Sequence, residues 1–212
     1  MPHIVLLGDS VFDNAAYVAA GPDVLHQLRA ILPSGWCATL NALDGAVIAD
    51  LEGQLKKLPP DSTHLVVSIG GYDALGESAM LDARVASMAE ALELMARVRE
   101  RFHSAYKHML EQLVETQLSV AVATIYEPRF PEPDRRRVAA TGLTMLNDTI
   151  TRQAFARHID LIDLRTICNE DVDFANPIEP SVHGGAKIAR AIFNFASFPR
   201  IATSRAFAGA NR

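Results

Sequence analysis

The segment Ile4-Val-Leu-Leu-Gly-Asp-Ser10 decides the fold, because four apolar residues run directly into a glycine and two polar residues. A short, wholly apolar run that ends at a turn residue is consistent with a strand buried on both faces, as in a parallel sheet. The glycine permits a sharp turn after this strand. We therefore expect the Ser10 hydroxyl to project from the carboxyl end of the first strand.

Short apolar runs and longer helical patterns alternate along the rest of the chain, and this predicts parallel strands joined by crossover helices. The predicted strands are Ile4 to Leu7, Trp36 to Leu40, His64 to Ile69, Ser119 to Ile125 and Ile159 to Leu164. The predicted helices are Asp23 to Leu32, Val47 to Leu58, Met80 to Gln117 with a break near Arg97 to Arg101, Asp134 to Arg157, and Lys187 to Ala196. The fold class that follows is α/β: a three-layer α/β/α sandwich with a five-stranded, mainly parallel sheet of the flavodoxin-like kind.

Length and composition limit the class of protein. A chain of 212 residues is long enough for one α/β domain, which we assign to residues 1–198, with a small and polar tail over 199–212 that is expected to be poorly ordered. The net charge of −5 argues against a nucleic-acid-binding surface. No window is apolar enough to span a membrane, and the N-terminal apolar run is too short for a signal peptide, so a cytoplasmic location is expected. The composition carries no indication of oligomeric state.

Ligands of open parallel sheets bind beyond the carboxyl ends of the strands, and this rule selects two residues. Of the seven histidines, only His183 follows the last predicted strand and precedes a helix, while Ser10 ends the first strand. A serine hydroxyl becomes a good nucleophile when a base takes its proton, and histidine is the usual base. The alternative is that Ser10 caps a helix and His183 is an ordinary loop residue.

Four segments resemble the sequence blocks of SGNH (GDSL-type) hydrolases. Gly8-Asp-Ser10 with the following Val-Phe-Asp-Asn resembles the first block, and Asp44-Gly-Ala46 resembles the glycine block after the second strand. Ser68-Ile-Gly-Gly-Tyr-Asp-Ala-Leu75 resembles the third block, and His183 ahead of Gly-Gly-Ala-Lys-Ile-Ala189 resembles the last. The resemblance spans residues 4 to 189 in the family's order.

The resemblance implies a role for each matching residue. Ser10 would attack an ester carbonyl, His183 would relay the proton, and the backbone N–H groups of Ser10 and Gly45 would stabilise the oxyanion. The substrate would be a small-molecule ester, and no cofactor or metal would be needed.

Two positions depart from the family pattern. Tyr72 stands before Asp73 where the family has an asparagine that donates a third hydrogen bond to the oxyanion, so Tyr72 and Asp73 are candidate oxyanion or substrate-binding residues. Pro180 stands three residues before His183, where the family has an aspartate that orients the histidine. Glu179 could orient His183 instead, or a Ser-His dyad could operate.

Three functions remain open from the sequence. The leading hypothesis is a serine esterase or acylhydrolase that cleaves small to medium acyl esters through a Ser-His acyl-enzyme mechanism. The second is a catalytically impaired relative that binds an acyl or carbohydrate ligand. The third is a flavodoxin-like signalling or nucleotide-binding domain, which is disfavoured because the chain contains no Walker-type loop.

Overall fold

The computed structural model describes residues 1–18, 20–199 and 203–209. These residues build a six-stranded sheet of order β2-β1-β3-β4-β5-β6 in which every neighbouring pair is parallel. The strands are β1 His3–Gly8, β2 Cys37–Leu40, β3 His64–Ser68, β4 Ser119–Ala123, β5 Asp160–Ile162 and β6 Ala206–Phe207. The predicted α/β class is confirmed.

Helices connect the strands and cover both faces of the sheet. The α-helices are α1 Val24–Ile31, α2 Leu51–Leu55, α3 Gly71–Gly76, α4 Met88–Glu115, α5 Pro133–Phe155, α6 Leu164–Ile167 and α7 Val182–Ser197. Short 3₁₀ turns cover Ala15–Tyr17, Ile48–Asp50, Ser78–Asp82 and Asp171–Asp173. None of the described helices is long and apolar enough to cross a membrane.

The alternation of side chains along β1 explains the three layers. Ile4 and Leu6 point into a core that α1 and α7 cover, while Val5 and Leu7 point into a second core that α4 and α5 cover. All four side chains have no exposed surface. A strand that is apolar on both faces has to lie in the middle of such a sandwich, and β1 lies between β2 and β3.

The prediction of five strands is wrong, because β6 adds a sixth within the segment predicted as a tail. Ala206 and Phe207 continue the ladder of β5, and the Phe207 ring meets that of Phe195 edge-on with centroids 6.1 Å apart. Two residues are too few to show a strand period, so the sequence could not reveal this edge strand. Residues 200–202 and 210–212 of the predicted tail lie outside the described residues.

The predicted break near Arg97 to Arg101 is also wrong. Helix α4 runs without interruption over Met88–Glu115 and contains neither glycine nor proline. The interruption lies earlier: Ser87 caps the helix by accepting a hydrogen bond from the Glu90 N–H, and the separate 3₁₀ turn Ser78–Asp82 ends before it.

Candidate active site

Ser10 is placed by a turn that only glycine allows. Gly8 has φ +119°, and a Cβ there would lie 1.7 Å from the Ser68 carbonyl oxygen. The same carbonyl accepts a hydrogen bond from the Asp9 N–H at 2.9 Å. The turn after β1 therefore packs closely against the end of β3. Ser10 follows this turn directly and is only 3% exposed.

Two buried amides hold this turn in place. The Gln54 side chain accepts from the Gly8 N–H at 2.7 Å and donates to the Gly8 carbonyl at 2.8 Å. Asn14 donates to the Pro180 carbonyl at 3.1 Å and accepts from the Val24 N–H at 3.0 Å. Asn14 thus joins the segment after Ser10 to the loop before α7.

That loop brings Glu179 to Ser10. The Ser10 hydroxyl donates to Glu179 Oε1 at 2.9 Å, and Glu179 is 1% exposed. Burial raises the pKa of Glu179 to about 7, and the negative charge of Asp44 adds to the rise, while hydrogen bonds from Ser10 and Tyr72 lower it. Two of the predicted site residues, Ser10 and Glu179, are therefore in direct contact.

Asp9 places a second perturbed carboxyl group beside Ser10. It is 3% exposed, and its Oδ1 accepts from the Val11 N–H at 3.2 Å. Burial, with smaller contributions from the charges of Glu179 and Asp73, raises the pKa of Asp9 to about 8, although the hydrogen bond from the Val11 N–H lowers it. Carboxyl groups with raised pKa values concentrate at functional sites, because such groups can exchange protons near neutral pH.

Tyr72, which stands where the resemblance implies an asparagine, belongs to a hydroxyl and carboxylate network. Its hydroxyl donates to Asp44 Oδ1 at 2.9 Å and lies 3.5 Å from Glu179 Oε1. Tyr17 donates to the other oxygen of Asp44 at 2.7 Å. The Tyr72 hydroxyl thus bonds to Asp44, and its distance from Glu179 is at the outer limit for a hydrogen bond.

The other two predicted oxyanion residues have different surroundings. Gly45 has φ +80° and lies at the surface, and neither its N–H nor that of Ser10 has an acceptor within the described parts of the chain. The Asp73 carboxylate accepts from the Ile48 N–H, with its nearer oxygen at 3.1 Å. Asp73 therefore fixes the turn that begins at Ile48.

His183 has no hydrogen bond to Ser10. It lies in the first turn of α7, its side chain is 51% exposed, and its Nε2 is 3.6 Å from Asp173 Oδ1. Lys187 Nζ lies 2.8 Å from the same Asp173 oxygen and 3.0 Å from Glu170. The arrangement is an ion-pair cluster at the start of α7, and it is separate from the contact between Ser10 and Glu179.

Two groups of side chains have the spacing of metal ligands. Ligand atoms of Glu170, Asp173 and His183 lie within 4.8 Å of one another, as do those of His3, Cys37 and Asp61. Lys187 already forms ion pairs with both carboxylates of the first group. In the second, His3 lies 2.9 Å from Asp61, and this group belongs to the amino end of β1, far along the strand from Ser10.

An apolar cavity of about 190 Å³ opens beside Ser10 and Glu179. It extends between α3, the first half of α4 and the first half of α5. Its wall includes Ile69, Leu75, Met95, Val98, Phe130, Val138, Gly142 and Leu146, with Asp9, Tyr72 and Tyr126 near the serine. His183 is not part of this wall. The cavity has the shape and polarity of a binding site for an apolar chain or ring with one polar end.

Sequence reasoning gave no site role to Asp44 or Asn176 and did not pair Tyr17 with Asp44. Asn176 Oδ1 accepts from the N–H groups of Ile178 and Glu179 at 2.9 and 3.0 Å. One signal was available: Asn176 precedes Glu179 by three residues, which is the spacing that the family resemblance implies between its aspartate and its histidine. Tyr17 and Asp44 could not be paired from the sequence, because they belong to different connections.

Comparisons with known proteins support the fold. No family model and no curated protein sequence matches the chain. The structure is similar to an extracellular lipase from Streptomyces rimosus, with a TM-score of 0.66 and 16% identity over 93% of this chain and 100% of that chain. A member of the lipolytic G-D-S-L family from Veillonella parvula gives the same four values. An acetyl xylan esterase from Geobacillus stearothermophilus matches with a TM-score of 0.60 and 16% identity over 95% of this chain and 97% of that chain. The chain therefore has the fold of SGNH-type hydrolases.

Proposed function

We propose that this chain is a serine esterase or acylhydrolase that cleaves small to medium acyl esters through an acyl-enzyme formed on Ser10. The observation that carries the proposal is the Ser10 hydroxyl, which donates to a buried carboxylate at 2.9 Å on the wall of an apolar cavity. A hydroxyl held by a proton acceptor beside a cavity is what nucleophilic catalysis requires.

The cavity favours an acyl substrate. Apart from the carboxyl, hydroxyl and carbonyl groups near Ser10, its wall is mainly aliphatic and aromatic. An ester carbonyl at Ser10 would let the acyl chain extend toward α4 and α5, where its burial is favourable. Proteins of the same fold include a lipase and an acetyl xylan esterase, and both act on esters.

The backbone N–H groups of Ser10 and Gly45 are the candidates for stabilising the oxyanion. Neither has an acceptor in the described ranges, so both can donate to a substrate oxygen. Removing one oxyanion donor typically costs about 10²–10³ in turnover. Because Tyr72 donates to Asp44, we expect a slower enzyme than one with three donors.

The proton relay that the sequence assigns to His183 remains one version of this mechanism. In that version Asp173, 3.6 Å from the His183 ring, is the orienting carboxylate. The imidazole would have to approach Ser10 by a rearrangement of the first turn of α7.

A second candidate function is a protein that binds an acyl ligand without hydrolysing it. The bond from Tyr72 to Asp44 favours this alternative, because it diverts the hydroxyl that could have replaced the missing oxyanion donor. The two functions make the same use of the cavity and differ in whether Ser10 reacts.

Labelling with a fluorophosphonate, followed by mass mapping, distinguishes them. We expect the label on Ser10, and we expect Ser10→Ala to lose both the label and the hydrolysis of p-nitrophenyl butyrate. Ser197→Ala is the matched control, since Ser197 is exposed and its hydroxyl donates to the Phe193 carbonyl. Hydrolysis that survives in Ser10→Ala would remove Ser10 from the mechanism, and an unlabelled Ser10 in an inactive wild type would favour the binding protein.

A further inference from the structure

Glu179 is the only carboxylate in hydrogen-bonding contact with the Ser10 hydroxyl among the described residues. Its other oxygen, Oε2, is buried and has no hydrogen-bond partner in the described part of the molecule. A buried carboxylate oxygen without a partner costs stability, since the oxygen has lost its hydration without a replacement. A catalytic role is one of the recognised reasons for which such a group is retained.

The backbone on both sides of Glu179 is held rigidly. Asn176 accepts from the Glu179 N–H at 3.0 Å, and the Ala175 N–H donates to the Glu179 carbonyl at 2.9 Å. The Tyr126 hydroxyl donates to the Ile178 carbonyl at 2.5 Å, and Asn14 holds the Pro180 carbonyl. These bonds fix the backbone from which the Glu179 side chain extends toward Ser10. A group that accepts a proton from a hydroxyl has to be held in the right orientation.

The surroundings of Glu179 are acidic or neutral. None of the ion pairs among residues 1–18, 20–199 and 203–209 includes Glu179, so no lysine, arginine or histidine there neutralises it. The titratable groups that act on it come from several elements: Asp9 after β1, Tyr17 in the first 3₁₀ turn, Asp44 after β2, Tyr72 in α3 and Tyr126 after β4. Burial, with a smaller contribution from the negative charge of Asp44, raises the pKa of Glu179 to about 7, although the hydrogen bonds from Ser10 and Tyr72 lower it, so the carboxylate can take and return a proton near neutral pH.

We propose that Glu179 is the general base and general acid of the reaction, so that a serine–carboxylate pair replaces the serine–histidine pair. This inference rests on the proposed esterase function. It assigns the proton to a residue that contacts the nucleophile, whereas His183 contacts an ion-pair cluster outside the cavity wall.

The steps balance with an ester and water alone. Ser10 Oγ forms a bond to the carbonyl carbon while its proton moves to Glu179 Oε1, and the oxyanion collapses with cleavage of the bond to the alcohol oxygen, which takes the proton from Glu179. Water then attacks the acyl-enzyme and gives a proton to Glu179. Ser10 Oγ leaves with that proton, and the products are a carboxylic acid and an alcohol.

Glu179→Gln tests the assignment, because glutamine keeps the size of the side chain and cannot accept the proton. We expect kcat/KM for p-nitrophenyl butyrate to fall by about 10²–10⁴, the range typical of a general base. Glu93→Gln is the matched control, since Glu93 is exposed and pairs with Arg97. Glu179→Asp, which keeps the carboxylate but withdraws it by one methylene, should retain more activity than Glu179→Gln. Circular dichroism and thermal melting establish that each variant is folded.

The pH profile of kcat/KM and of fluorophosphonate labelling separates Glu179 from His183. We expect wild type to gain activity as the pH rises through about 7, where Glu179 loses its proton. The same rise should persist in His183→Ala and disappear in Glu179→Gln. A rise that disappears in His183→Ala and persists in Glu179→Gln would overturn the assignment while leaving the esterase intact. Failure to label Ser10 at any pH would instead overturn the proposed function.

Discussion

Gly142→Leu should shorten the range of acyl chains that the cavity accepts without unfolding the protein. Gly142 lies on the cavity wall in the middle of α5, and a Cβ added there would meet no atom within 4 Å. Leucine has a higher helix propensity than glycine, by somewhat under 1 kcal/mol. The substitution is therefore expected to fill space in the cavity and to leave the helix intact or more stable.

The size of the cavity sets the expected chain lengths. Its volume of about 190 Å³ exceeds the roughly 150 Å³ of an engineered apolar cavity that binds benzene. We therefore expect wild type to accommodate an acyl chain on the order of six to eight carbons. Each methylene that leaves water contributes about 0.8 kcal/mol, so kcat/KM should rise about fourfold per methylene up to that length.

A leucine side chain at 142 would fill the space of about two to three methylenes, so activity on octanoyl esters should fall about 15- to 60-fold relative to butyryl esters. Acetyl esters, which end near Ser10, should be unaffected. The assay is kcat/KM for a series of p-nitrophenyl esters from acetate to decanoate. Gly53→Leu is the matched control, because Gly53 also lies in a helix with open space around its Cα but away from the cavity. An unchanged ratio of octanoyl to butyryl activity in Gly142→Leu, or an equal fall in Gly53→Leu, would refute the cavity as the acyl site.

Three further changes probe the framework of the site. Gly8→Ala should lower the free energy of unfolding, measured with urea, by about 2–4 kcal/mol, because its Cβ would clash with the Ser68 carbonyl and alanine disfavours a positive φ. A variant as stable as wild type would contradict the steric role of Gly8. Because the folded state holds the pKa of Asp9 near 8, above the usual value, stability should fall as the pH rises from 4 to 8. Asp9→Asn should make that fall shallower, and equal slopes in the two proteins would show that Asp9 is not the cause. Asp44 raises the pKa of the Tyr17 phenol, chiefly through its hydrogen bond, so Asp44→Asn should bring tyrosine ionisation to lower pH in an ultraviolet titration; an unshifted titration would mean that the bond is absent in solution.

The first five strands and the position of Ser10 were predictable because both depend on local sequence. Ile4 to Leu7 is apolar at every position, which a strand in the middle of a parallel sheet requires, and Gly8 marks where the strand must turn. Ser10 at the carboxyl end of β1 follows from these two features alone. The fold does not test the predicted cytoplasmic location, which stays a prediction.

Which proton acceptor meets Ser10 was decided by tertiary structure. His183 and Glu179 stand four residues apart in one segment, and the strand pattern brings both to the same edge of the sheet. The choice between them depends on how Asn176, Tyr126 and Asn14 fold the loop before α7, because these contacts come from three different connections.

Residue types and their local pattern determine where strands end and which residues stand at the edge of the sheet, since those outcomes depend on backbone sterics and on burial within a few residues. The direction of a side chain at that edge depends on hydrogen bonds between segments that are distant along the chain. The Tyr72 hydroxyl bonds to Asp44 and the Ser10 hydroxyl bonds to Glu179 only because the folded sheet places their connections side by side.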